Sequence, residues 1–146
     1  MSDLIHGSSK PIRLGIIGLS SGNGHPYSWS AIINGYDKSL IDGCDFSVIR
    51  EYLSKQVFPR DSIQNAVVSH IWTQDINLSR KIASMMFIDK VVEEPQQMLG
   101  EIDGLLLARD DSENHFKLAY PFLKAGLPIY IDKPIATTLP ELKTLL

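Results

Sequence analysis

Four short runs in this chain, IRLGIIG at residues 12–18, AVVSHIW at 66–72, IDGLLLA at 102–108 and LPIYI at 127–131, are almost continuously apolar and rich in branched side chains. A strand with one wet face alternates apolar and polar residues, so unbroken apolar runs belong to strands covered on both faces, the condition of a parallel sheet. Helical patterns lie between them. Residues 26–34 open with Pro26 and are stopped by Asn34-Gly35, residues 75–86 carry Ile76, Ser79, Ile82, Ala83 and Met86 along one side, and residues 112–125 stop at Gly126. Val91-Val92 reads as a minimal further strand. This β-α-β-α-β order predicts an α/β fold: a doubly wound parallel sheet with helices on both faces, joined by right-handed crossovers.

Residues 36–63 form an insertion before the second strand, with Phe46, Ile49, Tyr52 and Leu53 at helical spacing inside 45–56. Residues 1–11 read as a polar leader without the basic start and apolar core of a signal peptide, and residues 12–146 as one domain. At the far end Thr138-Leu-Pro-Glu141 is a capping-box pattern that opens a helix. Its Leu139, Leu142, Leu145 and Leu146 need a covering surface, so the chain reads as a fragment of a longer two-domain protein.

A net charge of −3 over 146 residues gives no long-range attraction to nucleic acid or anionic lipid, and no apolar run has the length of a membrane span. Small molecules are the expected partners. Cys44 is the only cysteine, which excludes an internal disulfide and a cysteine zinc cluster and fits a reduced, cytoplasmic setting; no metal is expected.

The first strand runs into Gly18-Leu19-Ser20-Ser21-Gly22-Asn23-Gly24-His25 and then a helix, the place where a doubly wound sheet offers backbone amides and a helix dipole to a dinucleotide pyrophosphate. Counted as G-x-G-x-x-G from Gly18, the second glycine is Ser20 and the third Asn23, so the fingerprint is altered and the loop enlarged. A mononucleotide P-loop is excluded, because Gly24 precedes His25-Pro26 and not lysine with serine or threonine. His25 either touches phosphate or substrate, or decorates the turn. The second strand ends in Trp72-Thr73-Gln74-Asp75. Asp75 is either the acid that receives the adenosine ribose or the cap of the next helix, Thr73 stands nearer the strand tip, and both NAD and NADP stay open. His70, inside an apolar strand, reads as a satisfied core residue. The last strand delivers Asp132-Lys133-Pro134 at its carboxyl end, where ligands of open parallel sheets bind; the plainer reading is an exposed, salt-bridged turn.

Together the glycine turn after IRLGIIG, IDGLLLA followed by Arg109-Asp110-Asp111 and Glu113-Asn114-His115, the helix ending AGLPIYI, and DKPIATTLPEL make residues 12–146 resemble the amino-terminal half of the glucose-fructose oxidoreductase and inositol dehydrogenase (Gfo/Idh/MocA) family. The resemblance implies a Rossmann-like dinucleotide-binding domain followed by an absent substrate domain. It also implies hydride transfer between NAD or NADP and a sugar, inositol or related polyol, and a full-length homo-oligomer. It makes Lys133 catalytic, binding the nicotinamide ribose and reacting hydroxyl and assisting proton transfer, with Asp132 orienting its ammonium or the ribose hydroxyls and Pro134 fixing the turn. Ala108, Arg109 and Asp110 would line the nicotinamide pocket, although Asp110 with Glu113 also makes a helix cap. His115 matches a family histidine or packs at its helix start. The sequence departs from the family in three places: Asp132 replaces glutamate, the glycine turn is altered, and Thr73 stands where an acid is usual. A noncatalytic nucleotide-binding sensor with the same fold is the alternative.

Overall fold

A computed structural model describes residues 10–146; of the expected leader, residues 1–9 lie outside the described part. The unbroken apolar run near the amino terminus becomes the central strand, β1 (Ile12–Ile17), paired in parallel with β2 (Ala66–Trp72) on one side and β4 (Gly104–Leu107) on the other. Outside these lie β3 (Lys90–Val91) and β5 (Ile129–Ile131), giving the all-parallel order β3-β2-β1-β4-β5. Ile17 pairs with Trp72 and with Leu107, and Leu107 with Ile131, so the carboxyl ends of these four strands share one rim.

Successive side chains of a strand point to opposite faces. Ile16 therefore enters one core and Ile17 the other. The first core is roofed by α1 (His25–Asn34), α2 (Ser47–Ser54) and α3 (Ile76–Met85), with Tyr27, Leu53, Ile71, Ile82 and Met86 fully buried. The second is roofed by α4 (His115–Lys124) and the short α5 (Leu139–Leu145), around Leu105, Leu107, Met98 and Phe122. The doubly wound architecture expected from the strand pattern is the one observed.

Several boundaries differ, each for a local reason. The helix at 112–125 is split, because Ser112–Asn114 tightens into a 3-10 turn before α4 begins. Asp75 lies outside α3 as its N-cap, accepting the Asn77 N–H at 2.8 Å. The last strand is not buried as expected: β5 is the outer strand, and Tyr130 is 63% exposed. An apolar run reports what a strand prefers to meet, and the described residues cover that face only in part, with Trp29 edge-on to Tyr130 at 5.3 Å. Asn34 does more than end α1. β3 is only two residues long and leaves Val68 unpaired on that side, and the Asn34 amide replaces the missing strand by donating to Val68 O and accepting from Val68 N, both at 2.9 Å.

Candidate functional site

The segment between β1 and α1 is held from three sides. Gln74, after β2, accepts from Leu19 N at 3.1 Å and donates to Leu19 O at 2.7 Å. Asp110, after β4, accepts from the Ser20 hydroxyl at 2.5 Å, and its own N–H donates back to that oxygen at 3.1 Å. Asp132, after β5, accepts from the Asn23 amide at 2.9 Å and from His25 Nδ1 at 2.5 Å. Residues far apart in sequence thus meet because their strands are neighbours in the sheet. Burial alone would push the Asp132 carboxyl up, but hydrogen bonds from Asn23, His25 and the Lys133 N–H together hold it below the usual carboxylate range.

Between the glycine turn and the β5 tip lies a cavity of ≈ 520 Å³ whose lining includes Gly22, Gly24, His25, Asp110 and Lys133. The insertion forms its outer wall through Asp45, Phe46, Ser47, Val48 and Ile49. Gly22 has φ of 77°, and a Cβ at that position would have no neighbour within 4 Å, so the backbone there is bare toward the cavity. The N–H groups of Ser20, Ser21, Gly22 and Gly24 make no hydrogen bond among the described residues. Free donors, bare backbone and a helix start suit a pyrophosphate, so the residues present fit a dinucleotide despite the altered glycine fingerprint. A larger cavity of ≈ 590 Å³ on the β2–β3 flank contains His70, Lys90 and Glu101. There Lys90 is paired with Glu101 and His70 Nδ1 with Ser69 Oγ, and the further Asp89 and Glu93 carboxylates make the lining acidic, which does not suit a pyrophosphate.

A family profile for oxidoreductases with an NAD-binding Rossmann fold, the Gfo/Idh/MocA group, matches residues 12–146. The chain belongs to that family. Among solved structures it is similar to myo-inositol 2-dehydrogenase from Lactobacillus plantarum, at 17% identity and a TM-score of 0.61 over 93% of this chain and 32% of that one. Scyllo-inositol dehydrogenase from Lactobacillus casei, solved with NAD(H) and scyllo-inositol, gives the same identity, TM-score and coverage. UDP-N-acetylglucosamine 3-dehydrogenase from Acidithiobacillus ferrooxidans gives 14% and 0.60 over 92% of this chain and 33% of that one. At these identities the likeness is one of fold, and the chain spans about a third of each of those proteins. No curated protein matches it.

The family's usual positions are unequally available in this member. Gly18, Ser20–Gly24, His25, Asp110, Asp132, Lys133 and Pro134 are gathered around one rim, with Lys133 79% exposed and its Nζ 3.8 Å from Asp132 Oδ1. Other expected contacts turn inward. Ala108 is fully buried, and Thr73 is buried with its hydroxyl donating to Asp75 O at 2.7 Å and paired with Ser79 Oγ at 2.8 Å. His115 is fully buried, with Nε2 2.7 Å from Arg109 O and Nδ1 3.1 Å from Ile135 O, so it ties two loops together and presents no nitrogen to a ligand. Arg109 is spent on Asp111 and Gln74. Asp75 acts as a helix cap. Asp75→Ala is accordingly expected to cost roughly 0.5–2 kcal/mol of stability in urea denaturation while leaving dinucleotide affinity unchanged in a fluorescence titration. A matching loss of affinity would restore it as the ribose acid. Sequence reading missed the Gln74 clamp on Leu19 and the Asn23–Asp132–His25 cluster, for which no local spacing gives a signal.

Proposed function

We propose that this chain is the cofactor domain of an NAD(P)-dependent oxidoreductase that acts on CH–OH groups of a sugar, inositol or related polyol, working in the cytoplasm as part of a longer homo-oligomeric protein. The observation that carries this reading is the cavity bounded on one side by the glycine turn and on the other by Lys133. In the proposed complex the free amides of the turn hold the pyrophosphate, and Gly22 admits it closely. The charged groups Asp45, Asp110 and Lys133 leave the cavity without excess positive charge, so phosphate binding falls to the backbone. When bound, the nicotinamide supplies the hydride acceptor or donor. Lys133 projects from the rim toward the reacting oxygen, as a cation that stabilises negative charge developing there.

The test is the melting temperature with each dinucleotide. At a hundredfold excess over Kd the stabilisation is ~2.7 kcal/mol, a rise of roughly 5–10 °C for a domain of this size. Lys133→Ala is expected to reduce that rise without changing the melting point of the free chain, because the side chain is exposed and packs against little. If neither NAD nor NADP moves the transition at millimolar concentration, the reading fails. Dinucleotide binding by a full-length protein that turns over no sugar or polyol would favour the noncatalytic alternative.

A further inference from the structure

In a doubly wound sheet a carboxylate at the tip of the second strand receives the adenosine ribose. Here the β2 tip has none to offer, because Thr73 is turned inward, the Gln74 carboxamide is taken up by Leu19 and Arg109, and Asp75 caps α3. Beyond the tips of β2 and β3, on the rim that carries the glycine turn, lies a cavity of ≈ 420 Å³. Its apolar walls are the half-buried Trp72, Ile76 and Val92, and its charged groups are Arg80 from α3 with Glu93 and Glu94 after β3. Glu93 stands where the missing acid is needed. His70 pairs with Lys90 and Ile71 with Val91, so counting on in register sets Glu93 beside Thr73, one strand spacing of about 4.8 Å away. Its main chain is pinned on both sides, the N–H donating to Gln97 Oε1 at 2.9 Å and the carbonyl accepting from Trp72 Nε1 at 3.0 Å. Its carboxylate makes no hydrogen bond or ion pair among the described residues. Glu94, by contrast, is the N-cap of the 3-10 turn Pro95–Met98, and the exposed Arg80 reaches only Asn77 Oδ1, at 3.5 Å.

We propose that Glu93, supplied by β3 in place of the β2 acid, accepts the adenosine ribose hydroxyls and makes this site select NAD over NADP. This rests on the cofactor-domain reading above. A carboxylate only accepts, so it suits the 2′-hydroxyl as a donor and repels the 2′-phosphate that NADP carries at the same position. Glu94 adds to the repulsion, and Arg80 is the only cation lining the cavity, so the phosphate would meet an excess of negative charge. Trp72, Ile76 and Val92 give the adenine ring an apolar surface beside that acid, the combination of flat walls and one placed polar group that orients a small ligand. The role also explains why the Glu93 main chain is tied to both Trp72 and Gln97 while its side chain is left free, since the ties fix the direction from which the carboxylate approaches the β2 tip.

Equilibrium binding to the full chain decides it, read by the fluorescence of the reduced nicotinamide with NADH, NADPH and an NADH analogue that lacks the adenosine 2′-hydroxyl. The wild type is expected to bind NADH roughly tenfold or more tightly than either NADPH or the analogue. Glu93→Gln keeps the shape and removes the charge. It is expected to weaken NADH roughly tenfold, to strengthen NADPH, and to make NADH and the analogue nearly equal. Glu93→Lys is expected to reverse the preference in favour of NADPH. Neither substitution should move the melting point of the free chain, because the carboxylate is bonded to nothing that holds the fold. Equal binding of NADH and the analogue by the wild type overturns the assignment, as does a Glu93→Gln protein that keeps the wild-type ratio of NADH to NADPH affinity. A wild-type preference for NADPH that disappears in Arg80→Ala overturns it too, and gives the phosphate to Arg80. In each of these cases the cofactor-domain reading survives. If neither dinucleotide binds the wild type, that reading fails and this role fails with it.

Discussion

Gly18→Val is expected to be the most damaging single change in the glycine turn, lowering stability by roughly 3 kcal/mol and abolishing the melting shift produced by dinucleotide. A side-chain carbon at position 18 would stand 2.1 Å from Pro26 Cγ, 3.2 Å from its Cβ and 3.4 Å from its Cδ. The pyrrolidine ring has no rotamer to escape into, so the start of α1 would have to move and would carry His25 away from Asp132. Gly24 is different. There the carbon would meet Ile49 Cδ1 at 2.4 Å and the Phe46 ring at 2.7 Å, which are side chains of the insertion, so Gly24→Ala displaces α2 before it disturbs α1. Gly22 is different again, because nothing lies within 4 Å and only its φ of 77° resists a side chain. Gly22→Ala should therefore cost no more than ~1–2 kcal/mol. Urea denaturation of the three variants is expected to rank them Gly18, then Gly24, then Gly22. If Gly22 proved the most sensitive, backbone conformation and not strand–helix approach would govern the turn.

That ordering also shows where sequence reading stops. Gly18 is legible as the end of a buried strand, but Gly22 and Gly24 carry the same letter as Gly18 and so the same apparent role. Only the packing shows that one glycine serves the helix, one serves the insertion and one faces open space. The sheet itself is legible because burial on both faces leaves a one-dimensional trace, the unbroken apolar runs of β1, β2 and β4. β5 carries the same trace, yet its outer position exposes Tyr130, and a run of letters does not record which strand is last. The lysine at the rim follows from strand direction alone. The His25–Asp132 contact does not, since 107 residues separate the partners and β5 reaches β1 only through β4. Thr73 and Asp75 illustrate a further limit: both types serve caps and ligands equally well, and the short hydrogen bonds of the α3 start decide for the cap.

Arg109→Met is expected to cost roughly 3 kcal/mol and to weaken dinucleotide binding, with the guanidinium already paired to Asp111 and Gln74. The guanidinium and its partner Asp111 are 11% and 20% exposed, and they join through Nε at 2.8 Å and Nη2 at 2.5 Å. Nη1 donates to Gln74 Oε1 at 3.1 Å, the same oxygen that holds Leu19 N. Methionine fills much of the arginine stem's volume but leaves Asp111 without its cation and Gln74 held by Leu19 alone, so the glycine turn keeps its Ser20–Asp110 tie to the β4 tip and loses the second tie, the one through Gln74. The acid dependence follows from the sign of one shift. Chiefly through the hydrogen bond from Arg109, the Asp111 carboxyl titrates below its ordinary 3.8, so its stabilising contribution is present above that pH and is lost as pH falls toward the folded value. In Arg109→Met only Asn114 and the residue's own main-chain N–H remain to donate to that carboxylate, and partial burial now weighs more toward the protonated form. The deficit between the two proteins is therefore expected to be largest at neutral pH and to narrow below about pH 4, where Asp111 no longer needs the cation. Arg109→Met combined with Asp111→Leu should recover much of the lost stability, since the uncompensated charge is gone, but not the affinity, because the tie through Gln74 is still missing. Recovery of both would show that the pair acts on the turn through general stability alone.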